Sequence, residues 1–124
     1  MQRILSLAFM VFTLLVTNHA HSFELWCKVE RKLNEKMEYK KDYIEEQKFG
    51  LFIRHWDTGA TLSRCSGNSA CDEYQVDHIE FTENVGMIKY YYFKGHFDVQ
   101  LFADLRFIEN NGRGDIAWGQ CWEQ

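Results

Sequence analysis

Four cysteines constrain this chain more than any other feature. Cys27 and Cys121 lie towards its two ends, while Cys65 and Cys71 stand close together in the stretch "RCSGNSACDEY", Arg64 to Tyr74. An even number of cysteines in a small exported domain implies a disulfide framework, and four allow three pairings. The nested arrangement, Cys27 with Cys121 and Cys65 with Cys71, is the expected one, because either alternative pulls apart two cysteines borne on one short loop. By chain-entropy reasoning the outer bridge is worth about 4–5 kcal/mol and the inner one about 2–2.5 kcal/mol. The outer bridge would also set Trp26 and Trp122, each beside a bridged cysteine, on the opposite face of neighbouring strands.

Disulfides require an oxidising compartment, and the first residues supply the route to one. Met1-Gln2-Arg3 is a short basic start, Ile4 to Val16 is a nearly unbroken apolar run, and Ala20-His21-Ser22 places small residues where a signal peptidase reads. The run is shorter than the roughly 20 residues that a membrane-crossing helix needs. The expectation is therefore a secretory signal over 1–22 and one disulfide-stapled domain over 23–124, in the periplasm or outside the cell, with no stable membrane insertion. Losing Arg3 with the leader takes the formal charge from −4 to −5. A nucleic-acid partner needs a basic stripe, which this balance argues against.

Period-two alternation dominates the domain itself. Phe23, Leu25, Cys27 and Val29 alternate with polar residues or tryptophan, and Phe49, Leu51 and Ile53 repeat the pattern. "DTG" at Asp57 to Gly59, "TEN" at Thr82 to Asn84 and "KGH" at Lys94 to His96 are turns. Gln75 to Phe81, Met87 to Phe93 and Ile116 to Trp122 are strands, and Phe97 to Ile108 is taken as one strand although a helical stripe also fits it. Arg31 to Lys48, dense in charge, suits a short helix or a long polar hairpin. Aromatic residues make up 16 % of the chain and proline is absent, a composition that favours pleated, half-buried strands. The fold expected is mainly β, a small antiparallel sandwich or barrel of six to eight strands with two disulfides.

No pattern of residues announces a reaction. "CSGNSAC" holds no nucleophile elbow, and no glycine loop for phosphate is present. A redox pair is normally two residues apart at a helix start, and a zinc site needs thiolates at short spacing, so neither suits Cys65 and Cys71. Each histidine of the domain is followed two residues later by an acid: His55 and Asp57, His78 and Glu80, His96 and Asp98. On a strand such pairs share a face and suit half of a metal site or a base with its orienting acid. Acids are common on polar faces, however, and solvated strand ends account for all three pairs. "GRGD" at Gly112 to Asp115 is explained as a turn. Nothing in the sequence calls for a cofactor.

Recognition is what remains. The short loop carries Asn68 and Ser69 and is flanked by Arg64 and Tyr74; a loop ordered in advance loses less entropy on binding. "KYYYF" must place two aromatics on each sheet face, and Tyr91 and Trp56 are candidates for an outward surface. In outline the chain resembles the bacterial lysozyme inhibitors, small periplasmic β proteins with disulfides. The expected function is an exported protein-binding domain of inhibitor or immunity type, without catalysis. The alternatives are a metal-binding or hydrolytic protein using the His-x-acid pairs, and a carbohydrate or small-ligand binder using exposed Trp and Tyr.

Overall fold

A computed structural model of the chain describes residues 22–67 and 71–124. Residues 1–21, all but the last of the expected leader, and residues 68–70, with Asn68 and Ser69, lie outside the described residues. Nine strands form one antiparallel sheet: β1 (Phe23–Leu33), β2 (Gly50–Trp56), β3 (Gly59–Cys65), β4 (Asp72–Gln75), β5 (His78–Thr82), β6 (Met87–Tyr92), β7 (Phe97–Leu101), β8 (Arg106–Asn110) and β9 (Ile116–Glu123). One helix, α1 (Lys41–Gln47), joins β1 to β2. No helix among the described residues is long and apolar enough to cross a membrane.

The strand order is β4-β3-β2-β1-β9-β8-β7-β6-β5, so the two ends of the sheet are strands consecutive in sequence. Only Val76 and Asp77 separate them. Val76 N–H donates to the Ala60 carbonyl on β3 (3.0 Å) and Asp77 N–H to the Tyr91 carbonyl on β6 (2.9 Å). Asp72 to Thr82 is thus one bent strand that pairs first with β3 and then with β6, and the sheet curls round on itself. Side chains bridge the seam: Tyr74 of β4 meets Tyr92 of β6 at 5.0 Å and Phe97 of β7 at 5.6 Å. Such a corner leaves no long open edge to template aggregation.

Alternation sends one side of every strand into the curl. Leu25, Leu51, Ile53, Leu62, Tyr90, Val99 and Phe107 are the large side chains fully buried there, and they fill the interior. Cys27 and Cys121 are register partners on β1 and β9 and are bridged, as are Cys65 and Cys71. Trp26 and Trp122, also paired in register, face outward. The Trp26 indole lies across Gly50, where any Cβ would collide with it, and packs against Phe52 at 4.7 Å. Tyr90 and Tyr92 point in, Tyr91 and Phe93 out.

Three features depart from the sequence reading. The strands number nine, above the six to eight expected, because two apparent strands are each broken. Gln75 to Phe81 contains the corner at Val76–Asp77, and Phe97 to Ile108 contains a tight turn over 102–105. In that turn Leu105 takes φ 67° and its N–H donates to the Phe102 carbonyl at 2.9 Å. In the segment 31–48 the short helix, one of the two forms expected there, is the one found, after the last residues of β1. β1 runs to Leu33, Asn34 Oδ1 accepts from the amides of Lys36 (2.8 Å) and Met37 (2.9 Å), and α1 then packs Ile44 onto β1. Lastly, His55 is not a solvated strand end. It sits inside, sharing a 2.9 Å hydrogen bond between Nδ1 and the Tyr90 hydroxyl, because its position continues the inward row of Leu51 and Ile53.

Candidate functional site at the charged mouth of the sheet

One end of the curl collects charge. β1 carries a bulge between Val29 and Arg31, opposite Gly119. An extra residue reverses the alternation, so Lys32, facing the buried Ala117, turns inward where an outward side chain would otherwise lie. Its ammonium stands 4.3 Å from the Phe49 ring and 3.9 Å from Asp115 Oδ2, with only 12 % of the side chain exposed. Burial pushes the Lys32 pKa down; the Glu109 and Asp115 carboxylates oppose this, and Arg64 and Arg113 reinforce it.

Arg64 ends the inward row of β3 after Ala60 and Leu62, level with Leu51 on β2. Its Nη2 donates to Glu109 Oε1 at 3.2 Å, and its guanidinium carbon lies 5.0 Å from the Phe97 ring centre. Glu109, on the inward row of β8, is only 8 % exposed against 23 % for Arg64. A carboxylate so enclosed is tolerated because it is paired and hydrogen-bonded.

Arg113 arrives from the loop between β8 and β9. Asn111 Oδ1 accepts from the amides of Arg113 (2.8 Å) and Asp115 (3.1 Å), which folds the loop over. Gly112 takes φ 78° against the backbone of Gly95 and His96, leaving no room for a Cβ. That close approach presses the loop onto the β6–β7 turn and brings Arg113 to Tyr92.

Arg64 divides the mouth into two clefts. The first, about 200 Å³, is walled by Lys32, Phe49, Ser66, Asp72 and Glu109 at the foot of the disulfide-closed loop. Gly67 N–H donates to the Gln47 carbonyl, so the end of α1 holds that loop in place. The second cleft, about 230 Å³, lies between Arg64 and Arg113 and is walled by Tyr74, Tyr92 and Phe97. No acid among the described residues lines it. Among the described residues the Tyr74 and Tyr92 hydroxyls make no hydrogen bond and Arg113 makes no ion pair.

The structure therefore unites Arg64 and Tyr74 and disperses the other sequence candidates. Asn68 and Ser69 lie outside the described residues. Trp56, 41 % exposed, is at the β2–β3 turn with Asp57. Tyr91 is on the outer face, its ring 5.6 Å from His78 and 5.7 Å from Phe93, and its hydroxyl donates to Glu80 at 3.4 Å. Asp98, next to Tyr91 in register, accepts from Asn110 at 3.4 Å; burial raises its pKa, against Lys89 and that hydrogen bond. His96 caps the β6–β7 turn at φ 52°. The His-x-acid residues are thus spread over the interior, a turn and the outer face, and among the described residues no three His, Cys, Asp or Glu are grouped to hold a metal ion.

Lys32, Tyr92, Phe97, Glu109 and Arg113 are the mouth residues that the sequence did not single out. Arg113 and Tyr92 did stand in quoted stretches: "GRGD" accounted for the turn without showing what the turn packs against, and "KYYYF" left open which of its aromatics face inward. No family model, curated protein or solved structure matches the chain.

Proposed function

We propose that this protein is an exported recognition module that binds another protein, as a periplasmic inhibitor or immunity protein does, and catalyses no reaction. The observation that carries the reading is the placement of the stapled loop. Cys65 and Ser66 line a concave, charged mouth, and the loop's base is tied to α1 before any partner arrives. A recognition surface fixed in advance loses little entropy on association. Two disulfides suit an oxidising compartment, and an interior filled by side chains keeps the chemistry of recognition at the rim.

The test is capture from the envelope fraction with the protein purified after expression of the full chain. The unmodified protein retains a partner in a stoichiometric complex that sediments as one species. Asn68→Trp with Ser69→Trp, which leaves the disulfides intact, abolishes it. Equal retention by both forms would remove the mouth loop from the interface.

A carbohydrate-binding reading has one observation in its favour. His78 and Phe93 lie 17° from parallel beside Tyr91 on the outer face, with Lys89 and Asp98 adjacent. Glycan binding lost on Tyr91→Ala but kept on Trp56→Ala would favour that surface.

A further inference from the structure

We infer that the cleft between Arg64 and Arg113 receives one organic carboxylate, its anion against the guanidiniums and its apolar body against Tyr74, Tyr92 and Phe97. The inference rests on the recognition reading for its location and adds the chemistry of what enters.

Charge decides the sign of the occupant. Two guanidiniums line the cleft and no carboxylate of the described residues does. Two acids of the mouth are already engaged elsewhere: Glu109, which lines the first cleft, accepts from Arg64, and Asp115 accepts from the Tyr39 hydroxyl at 3.2 Å. Arg64 directs one nitrogen to Glu109 and keeps its remaining donors, and Arg113 has no ion-pair partner among the described residues. Arginine's fork matches a carboxylate in two parallel hydrogen bonds. The walls decide the rest of the occupant. Tyr74, Tyr92 and Phe97 pack ring on ring, so an anion without an apolar body leaves them bare. The two phenol hydroxyls, without hydrogen bonds of their own among the described residues, can donate to the anion. About 230 Å³ suits a group the size of one amino-acid side chain or a simple aromatic acid, not a nucleotide. The same chemistry is offered by an Asp or Glu side chain of a partner protein and by a small free acid.

Phenylacetate, its neutral amide, inorganic phosphate and an end-blocked peptide carrying Glu beside Phe are titrated into the protein while backbone amide resonances are followed. Phenylacetate is expected to shift Tyr74, Gly95 and Arg113 saturably, with phenylacetamide and phosphate binding at least about tenfold more weakly. Arg113→Gln, at an exposed loop position where folding is not at stake, should weaken phenylacetate by a similar factor. Amide or phosphate binding as tight as phenylacetate, or none of the four moving these resonances, overturns the inference. Preference for the peptide over phenylacetate assigns the carboxylate to a protein. Preference for phenylacetate assigns it to a free acid, and would keep this inference while removing the protein-binding reading. A captured partner indifferent to Arg113→Gln would do the reverse.

Discussion

Arg64 and Glu109 meet where the interior gives way to the mouth, and each makes the other's position tolerable. Arg64→Ala leaves an enclosed carboxylate without its partner, and the expected cost is about 3 kcal/mol, read from denaturant midpoints. Replacing both residues should cost much less than the two single changes added together, since the pair acts as a unit. Lys32 behaves in the opposite sense. Its folded pKa lies below the usual 10.5, so the folded state holds the proton less firmly than the unfolded chain. Stability then rises with pH between the lowered value and 10.5, because the unfolded chain is the one still binding a proton. Lys32→Met should therefore be more stable than wild type at neutral pH and lose that advantage above pH 10.5, as paired thermal melts at the two pH values will show. Neither Lys32 nor Glu109 was marked by the sequence. Lys32 looks like one of many surface lysines until the bulge behind Val29 reverses its direction, and Glu109 stands in an alternating strand whose inward row is otherwise apolar.

At the level of elements, alternation carried most of the fold. It located β1, β2, β6 and β9 and placed two of the four aromatics of Tyr90 to Phe93 on each face. It failed where alternation continued across a break. In Phe97 to Ile108 the inward residues are Phe97, Val99, Leu101 and Phe107; a four-residue turn preserves their odd spacing, and Leu105 holds the left-handed position that glycine or asparagine would have advertised. The corner at Val76–Asp77 hid for the same reason, since a bend within a strand leaves its period intact. Helix α1 was ambiguous because its seven residues are too short to be stable alone. Ile44, its one buried residue, holds it on β1. Ile44→Ala should cost about 2–3 kcal/mol. It should also speed amide exchange at Gly67, whose hydrogen-bond acceptor is the last residue of the helix.

Across the whole molecule, the two bridges do different work. Cys27–Cys121 links strands 94 residues apart in sequence, and Cys65–Cys71 closes a turn of a separation of 6. Removing the first pair by alanine should cost about 4–5 kcal/mol and removing the second about 2 kcal/mol, the same ordering that chain entropy gives. Denaturation of the two double variants side by side will show whether that ordering holds. The pairing was legible from spacing alone, and a mainly β chain was legible from alternation. The curl was not, because one partner of β1, the strand β9, lies at the other end of the chain, and a corner inside a continuing strand leaves the local pattern unchanged. The mouth cleft was half legible. Arg64 and Tyr74 drew notice by flanking the cysteines, while Arg113 reaches them only through the packing of Gly112 on a distant turn.

The neighbourhood of β1 also orders events in time. A chain made from its first residue onward presents β1 early, yet one of that strand's two neighbours, β9, is the last strand to appear. Cys65 and Cys71 meet as soon as their own loop emerges, whereas Cys27 waits for nearly the entire domain. If oxidation keeps pace with synthesis, the small bridge is expected to close while Cys27 is still a thiol, and trapping of free thiols with time would show that order. Until β9 arrives, β1 has an edge without its final partner, the kind of exposed edge on which an incomplete chain can mispair.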